Sequence, residues 1–272
     1  MDEIGSIKQQ EKSDTFSMVE GAHTESEAEM ILVSFGGGTN STAMLIEMVK
    51  RDIHADVILF ADTGAEHPHT YRHVADFSHW LVDRGHMPIM TVRQKKTLEE
   101  DCLIRKALPS IAYGFKTCSQ RWKIAPQDKF MNNSQAAKDV WASGEKVIKY
   151  VGFDTDEAHR IKDYSDKKYD VQYPLVDWDM GRDECVQVLR DEGFCSVGKS
   201  SCFFCPSSRI SEIKALKAQH PDLYDRAVAM EENADLTTIA GLGRSYSWKN
   251  AGATDDMFED NYIEIDCGCY DG

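Results

Sequence analysis

The succession of an apolar strand, a glycine turn and an amphipathic helix near residue 40 restricts the fold more than any other feature of the sequence. Apolar residues at 30–35 stop at the turn 36–38, and residues 41–49 then carry apolar side chains at helical spacing. Glycine allows positive φ angles and lets a ligand approach the main chain closely. Because the N–H groups at a helix start carry the positive end of the helix dipole, the pattern predicts an anion-binding turn. A tight turn that binds nothing is the alternative.

Strand and helix patterns alternate beyond this turn. Residues 55–60 form a second apolar run, a helical pattern follows around Phe77, and a third strand pattern covers 88–92. Strands that alternate with helices at this spacing predict an α/β fold with a parallel sheet and right-handed crossovers. Weaker patterns predict a strand at 146–151, an extended segment at 169–176 and helices at 124–131, 135–141, 184–191 and 210–232, the last interrupted near Pro221.

The chain is predicted to have three parts. Residues 1–28 are polar, charged and without a sustained period, which predicts a flexible acidic tail. Residues 29–190 contain the alternating pattern and form the sheet-centred α/β domain. Residues 191–272 form a mainly helical extension that carries several cysteines.

Charge and hydropathy exclude some classes of protein. The 272 residues include 31 Lys and Arg against 46 Asp and Glu, a formal net charge of -15. This balance argues against a protein that coats duplex nucleic acid, because phosphate contacts require Lys and Arg, although a local basic cleft stays compatible with it. Apolar runs are shorter than the roughly 20 residues of a membrane span, and the N-terminus has no apolar signal core. We therefore expect a cytoplasmic protein without membrane association.

Cysteines are the second chemical signal, with eight in the chain. In a reducing compartment, clustered cysteines more often bind metal or do redox chemistry than form disulfides. Cys202 and Cys205 form a Cys-x-x-Cys element that directs two sulfurs to one metal or cluster, but two ligands do not complete a tetrahedral site. Cys267 and Cys269 offer two further thiols near the C-terminus. The isolated cysteines are interpreted as packing residues: Cys102, Cys185 and Cys195.

The glycine turn resembles the pyrophosphate-binding loop of the adenine nucleotide alpha-hydrolase superfamily, the PP-loop ATP pyrophosphatases, which implies their HUP-type parallel-sheet fold. The nearest group is the phosphoadenosine phosphosulfate (PAPS) reductase-like family, whose usual loop reads Ser-Phe-Ser-Gly-Gly-Lys-Asp-Ser. The corresponding residues here are Ser34, Phe35, Gly36, Gly37, Gly38, Thr39, Asn40 and Ser41. Thr39 removes a cation that could contact phosphate, and Asn40 removes a carboxylate that could engage Mg²⁺.

Three further stretches resemble the same family, and together the similarity runs from about residue 31 to 206. They are Asp62-Thr63-Gly64, the Cys-x-x-Arg-x-Lys-x-x-Pro stretch that starts at Cys118, and the Gly-x-x-x-x-Glu-x-x-Arg stretch that starts at Gly152. The resemblance implies that Asp62, Thr63, Gly64, Arg121 and Arg160 contact the nucleotide. Arg121, Lys123 and Arg160 are candidates to hold a phosphate or sulfonate group, with surface salt bridges as the alternative.

The resemblance also implies a metal centre. In family members that carry a [4Fe–4S] cluster, the Cys-x-x-Arg and Cys-x-x-Cys stretches share the ligation, which nominates Cys118, Cys202 and Cys205. Cys267 is the candidate fourth ligand, with Cys269 or an open iron as alternatives. Zinc is the alternative metal.

Three functions follow from this resemblance. The first is ATP-dependent sulfur transfer to a nucleic-acid or small-molecule acceptor with release of pyrophosphate, in which Arg160 and Lys123 act on the phosphate and the cluster delivers sulfur. The second is reduction of a sulfonucleotide such as PAPS, with Cys267 as nucleophile and a thiol reductant. The third is a non-catalytic, zinc-stabilised module that binds nucleotide or nucleic acid, which Thr39 and Asn40 support. A homodimer is compatible with each.

The segment 241–248 combines two glycines, an arginine and two aromatic residues. Aromatic side chains can cover a nucleotide base by stacking. An ordinary loop is the equal alternative.

Overall fold

A computed structural model describes residues 29–109, 111–112, 115–161, 164–194, 197–198 and 200–252 of the chain. The predicted tail, 1–28, lies outside these residues. So do three of the cysteines: Cys195, Cys267 and Cys269.

A parallel five-stranded sheet forms the centre of the fold. The described residues contain seven strands, five of which belong to this sheet. In chain order they are β1 (Ile31–Phe35), β2 (Val57–Asp62), β3 (Ile89–Arg93), β4 (Ile111–Ala112), β5 (Phe115–Lys116), β6 (Val147–Val151) and β7 (Tyr169–Gln172). The sheet has the order β3-β2-β1-β6-β7 with every neighbouring pair parallel, and β4 and β5 form a separate antiparallel pair. The predicted α/β fold with a parallel sheet is therefore confirmed.

Helices connect the strands and continue into the C-terminal region. They are α1 (Thr39–Lys50), α2 (Pro68–Val82), α3 (Leu98–Arg105), α4 (Ala125–Asn133), α5 (Gln135–Ala142), α6 (Pro174–Asp177), α7 (Arg182–Asp191), α8 (Ile210–Gln219), α9 (Pro221–Asn233) and α10 (Trp248–Ala251), with a π-helix at Ser119–Ile124 and a 3-10 helix at Thr155–Arg160. Pro221 separates α8 from α9, as predicted. The extended segment predicted at 169–176 was wrong in its second half, because Pro174 opens α6 at a position that proline favours.

Apolar residues cover both faces of the sheet, as parallel sheets require. On one face Phe35 packs with Met44 of α1 and Phe77 of α2. On the other face Leu59 packs with Met131 of α4.

Within the described ranges, no helix combines the length and the apolarity that crossing a membrane requires.

A second core lies at the carboxyl side of the sheet. It combines Leu98 of α3 and Trp122 of the π-helix with Phe203, Phe204 and Trp248 from the C-terminal region. This core takes residues from both sides of the predicted division at 190. The Cys-x-x-Cys segment is therefore packed against the sheet domain rather than held apart from it.

Candidate functional site

The turn between β1 and α1 is closely packed. Gly37 has a φ of +79°, and a Cβ atom there would lie 3.2 Å from Cγ2 of Thr70 and 3.3 Å from Cε2 of Phe60. Gly152, which follows β6, lets the backbone come near α1, since its Cβ would lie 2.8 Å from Cα of Ser41. Both positions therefore require glycine for space, and Gly37 requires it for conformation as well.

The first turn of α1 has the electrostatics of an anion site. Gly38 occupies the N-cap, and within the part of the chain that the structure describes no side chain caps this turn. The first N–H groups of a helix have no acceptor within the helix. The hydroxyls instead fix the loop: Ser41 Oγ accepts from the Gly36 N–H at 3.2 Å, and Thr42 Oγ1 donates to the Gly38 carbonyl at 2.7 Å. The uncapped amides and the helix dipole favour an external anion.

Neighbouring elements hold the turn in place. The Ser34 hydroxyl donates to Oε1 of Gln127 at 2.6 Å, and Nε2 of His73 lies 2.8 Å from Oγ1 of Thr42. Burial lowers the pKa of His73 to about 4. The Ser200 hydroxyl donates to the Gly36 carbonyl, which connects the turn to the segment that carries the Cys-x-x-Cys element.

Thr39 and Asn40, which replace the lysine and the aspartate of the family loop, share one hydrogen-bond network. The side-chain nitrogen of Asn40 donates to Asp154 at 2.8 Å and to Glu157 at 3.1 Å. Arg182 donates to Oδ1 of Asn40 at 2.9 Å and to Oγ1 of Thr39 at 3.2 Å. Burial raises the pKa of Asp154, while the hydrogen bond from Asn40 and the Arg182 charge oppose this shift. The start of α1 therefore meets two carboxylates and one guanidinium.

Arg160, a predicted phosphate contact, lies next to this network. Its guanidinium forms an ion pair with Glu157 and lies 4.5 Å from the centre of the Phe153 ring. Only 13% of the Arg160 side chain is exposed. The shared Glu157 therefore places Arg160 beside Asn40.

The Asp62-Thr63-Gly64 segment is a turn at the carboxyl end of β2. Oδ1 of Asp62 accepts from the Gly64 N–H at 2.7 Å and from the Tyr71 hydroxyl at 2.8 Å. Burial, followed by the hydrogen bond to Asp62, raises the pKa of Tyr71 and keeps its hydroxyl protonated as a donor. Ligands of open α/β folds collect at this edge of the sheet.

Thr63 connects the same turn to the Cys-x-x-Cys segment. Its hydroxyl donates to Oε1 of Glu66 at 3.1 Å and lies 3.2 Å from Sγ of Cys202. Glu66 and Cys202 also form an antiparallel β-bridge. The Cys202 thiol is therefore held at the carboxyl edge of the sheet.

Two thiols and one ammonium group are neighbours here. Burial raises the pKa of the Cys202 thiol well above its usual value, and Glu66 raises it further, whereas Thr63 and Lys123 lower it. Burial also raises the pKa of Cys118, with Lys123 again opposing the shift. Cys118 and Cys202 also pack against the same apolar core. Lys123 is placed to stabilise either thiolate.

The predicted metal ligands are only partly brought together. Cys205 follows Cys202 in a tight turn, with its N–H 3.0 Å from the Cys202 carbonyl oxygen. Among the residues described, no group of three or more His, Cys, Asp and Glu side chains is arranged to hold a metal ion. Cys267 lies outside these residues, so the four-ligand set stays a prediction. Cys102 and Cys185 are buried, and burial raises the pKa of each thiol to about 12.

The π-helix positions Arg121 and Lys123. Trp122 is buried and its indole N–H donates to the Lys96 carbonyl at 3.1 Å. Gln94 donates to the carbonyl of Arg121 at 2.7 Å. Arg121 itself is exposed, with its guanidinium 4.9 Å from the Trp122 ring, so the structure does not bring it to the glycine turn through any described contact. π-Helical turns are frequent at functional sites.

The sequence patterns did not single out Asp154 and Arg182, and they left one segment open. Asp154 lies inside the Gly-x-x-x-x-Glu stretch but is not one of its specified positions, and Arg182 belongs to no motif. In the segment 241–248, Trp248 is only 1% exposed. Its backbone N–H donates to Glu231, so Trp248 is a core residue rather than a cover for a base.

Comparison with known proteins finds a family match over the region that contains the glycine turn and the Cys-x-x-Cys element. The sequence profile of the phosphoadenosine phosphosulfate reductase domain matches residues 30–205, more than half of the 272 residues. An uncharacterized protein of Methanocaldococcus jannaschii is 26% identical over 208 residues, which are 72% of this chain and 40% of that protein. The chain thus spans about two fifths of the length of this relative. The chain therefore belongs to the phosphoadenosine phosphosulfate reductase domain family, a nucleotide-binding family of the PP-loop superfamily.

Proposed function

We propose that the protein binds the polyphosphate of ATP at the glycine turn and uses it for ATP-dependent sulfur transfer with release of pyrophosphate. The observation that carries the proposal is the uncapped first turn of α1, which follows a glycine in the left-handed region at the carboxyl end of β1. Such a turn offers several N–H groups to one anion. The family match supports a nucleotide as the source of that anion.

The proposed chemistry divides into two displacements at the α-phosphorus and the activated acceptor. An oxygen of the acceptor attacks the α-phosphorus, and the bond from that phosphorus to the bridging oxygen breaks, so pyrophosphate leaves with the electron pair. The turn N–H groups and Arg160 stabilise the charge that develops on the leaving group. The outer sulfur of a cysteine persulfide, loaded by exchange with an external persulfide donor, then attacks the activated carbon of the acceptor, and AMP leaves with the oxygen. A thiol reductant cleaves the resulting disulfide, so the sulfur stays on the acceptor and the cysteine returns as a thiol.

Two contacts support a sulfur donor beside the nucleotide. Ser200 donates to the Gly36 carbonyl, and Thr63 lies 3.2 Å from Sγ of Cys202. The thiol segment and the glycine turn are therefore fastened to each other. Lys123, which lowers the pKa of both Cys118 and Cys202, favours the thiolate form that nucleophilic sulfur requires.

An iron–sulfur cluster stays part of the proposal without a step of its own. Cys118 and Cys202 would hold it, and a complete set of ligands requires Cys205 together with a thiol such as Cys267. Thiolates are the usual ligands of such clusters. Mg²⁺ also stays an expectation, and Asn40 argues against it, because the related loops carry at this position a carboxylate that could bind the ion.

Calorimetric titration with ATP, PAPS and inorganic pyrophosphate tests the binding step. We expect ATP and pyrophosphate to bind to the folded protein, and pyrophosphate to be released from ATP when acceptor is present. Folded protein that binds none of the three ligands would contradict the proposal.

Reduction of a sulfonucleotide is the second candidate, and the name of the matched family favours it. In that case the protein releases sulfite from PAPS in the presence of a thiol reductant, and replacement of Cys267 by Ser stops the release. Sulfite from PAPS without pyrophosphate from ATP would select this function over sulfur transfer.

A further inference from the structure

We propose that Arg182 is a phosphate-binding residue of the glycine turn and supplies, from α7, the positive charge that residue 39 does not carry. This inference rests on the proposed binding of a polyphosphate at the turn. It deepens that function by assigning the cation that the site would otherwise lack.

The first argument is the position of the guanidinium. Arg182 donates to Oγ1 of Thr39 and to Oδ1 of Asn40, at 3.2 and 2.9 Å. These are the first two residues of α1, where the amide N–H groups have no side-chain cap in the part of the chain that the structure describes. The guanidinium therefore adds a full positive charge beside the partial positive charge of the helix start.

The second argument is the rigidity of the residue that carries this charge. The backbone N–H of Arg182 donates to the Asp156 carboxylate at 3.0 Å, which anchors the start of α7. Further along α7, Cys185 and Leu189 pack in the same core as Met44 of α1. Because α1 and α7 share a core, the guanidinium is held at the turn before any ligand arrives.

The third argument is the charge balance around Asn40. Asp154 and Glu157 accept hydrogen bonds from Asn40, and Asp154 is only 1% exposed. Two carboxylates next to the turn would repel a polyphosphate. Arg182, on the opposite side of the Asn40 amide, offsets this repulsion and leaves the turn attractive to an anion.

The test is the affinity for inorganic pyrophosphate and for ATP of Arg182→Ala, Arg182→Lys and the control Arg190→Ala. Arg190 lies on the same helix, is exposed and has no contact with the turn among the residues described. We expect Arg182→Ala to bind both ligands about 10- to 100-fold more weakly, because a charge-assisted hydrogen bond is lost. Arg182→Lys should lose less, and Arg190→Ala should bind as the wild type does.

The rescue experiment separates ligand binding from a purely structural role. In Thr39→Lys/Arg182→Ala the loop carries its own cation, so affinity should return to within about fivefold of the wild type. In contrast, Thr39→Lys alone should gain little, because Arg182 already supplies the charge. A structural role of Arg182 predicts no rescue by a lysine at residue 39.

The outcomes are distinguishable from failure of the proposed function. If wild-type protein binds neither ligand, the proposed function itself is wrong. If it binds them and folded Arg182→Ala binds them equally well, the assignment of Arg182 is wrong and the proposed function stands. Should Arg182→Ala fail to fold, Thr39→Lys decides, since a tenfold gain in the wild-type background would show that the turn lacks a cation.

Discussion

Asn40 and Asp154, which are 114 residues apart in the chain, are joined by a hydrogen bond of 2.8 Å from the amide nitrogen to the carboxylate. The same nitrogen donates to Glu157 at 3.1 Å. An aspartate at position 40, which the related loops carry, would place a third carboxylate against these two. The asparagine is therefore matched to the acidic residues that face it, and Thr39 and Asn40 form one local arrangement with Arg182.

Replacement of Asn40 by Asp should destabilise the fold at neutral pH. The substitution turns a donor into an acceptor and adds a negative charge within hydrogen-bond distance of Asp154 and Glu157. We expect a loss of about 1 to 3 kcal/mol in the free energy of unfolding, measured by urea denaturation at pH 7. The loss should shrink as the pH falls and the carboxylates become protonated.

The double variant Asn40→Asp/Asp154→Asn is the control for this prediction. It exchanges the donor and the acceptor, and an asparagine at 154 can still accept from the Glu157 N–H, as the aspartate does at 2.9 Å. We expect most of the lost stability to return. If Asn40→Asp is as stable as the wild type, then Asp154 and Glu157 do not require an amide at position 40.

The sheet and the glycine turn could be predicted because their signals are local. The apolar run before Gly36 and the helical spacing after Ser41 are adjacent in the sequence, and each reflects burial of a single element. The same holds for Pro221, whose ring prevents continuation of α8 into α9. Local patterns of this kind depend on few contacts.

The role of Arg182 could not be predicted in this way. Its partner Asn40 is 142 residues distant, and the contact exists because α7 packs against α1. A guanidinium at the start of an amphipathic helix has the same sequence signature as a solvated arginine. Long-range packing, not residue type, makes it part of the site.

Replacement of Gly37 by Ala should weaken nucleotide binding and lower stability. The added methyl group would meet Thr70 and Phe60 at 3.2 and 3.3 Å, in a backbone with a φ of +79°. We expect at least a tenfold loss in ATP affinity and about 1 kcal/mol of stability. Gly85→Ala is the matched control, because Gly85 has the same φ but a Cβ there meets nothing within 4 Å. It should lose stability and keep ATP affinity; equal affinities for all three proteins would place the nucleotide elsewhere.

Glu231 should be essential for the C-terminal core. Its Oε2 accepts from the N–H groups of Leu242 and Trp248, at 2.6 and 3.0 Å. Glu231→Ala leaves two buried donors without this acceptor, and we expect a loss of about 2 to 4 kcal/mol in urea denaturation. The neighbouring Glu232→Ala breaks an exposed ion pair with Lys249 and should leave the stability nearly unchanged, because water screens this pair. Similar losses in both variants would contradict the special role of Glu231.

Anaerobic purification followed by iron and sulfide quantification tests the metal centre. If Cys118 and Cys202 are ligands, the wild type should contain about four iron and four sulfide per chain, and Cys118→Ser and Cys202→Ser should lose most of both. Cys185→Ser is the control, because Cys185 is fully buried in the core of the sheet domain. It should retain the cluster. Zinc without iron or sulfide in the wild type would favour the zinc-stabilised binding module instead.

His73 should make stability depend on pH between about 6.5 and 4. The Thr42 hydroxyl donates to the Gly38 carbonyl, so Nε2–H of His73 donates to Thr42 and the ring is neutral. Burial lowers the pKa of His73 from 6.5 to about 4, so the unfolded chain takes up a proton that the folded chain excludes. Its contribution to the free energy of unfolding should fall by about 3 kcal/mol as the pH drops through this window. His73→Gln, which keeps the donor, should flatten the curve in urea denaturation at several pH values. Val74→Ala, a nearby core truncation, should lower stability at every pH and keep the slope; an unchanged slope in His73→Gln would assign the pH dependence to other groups.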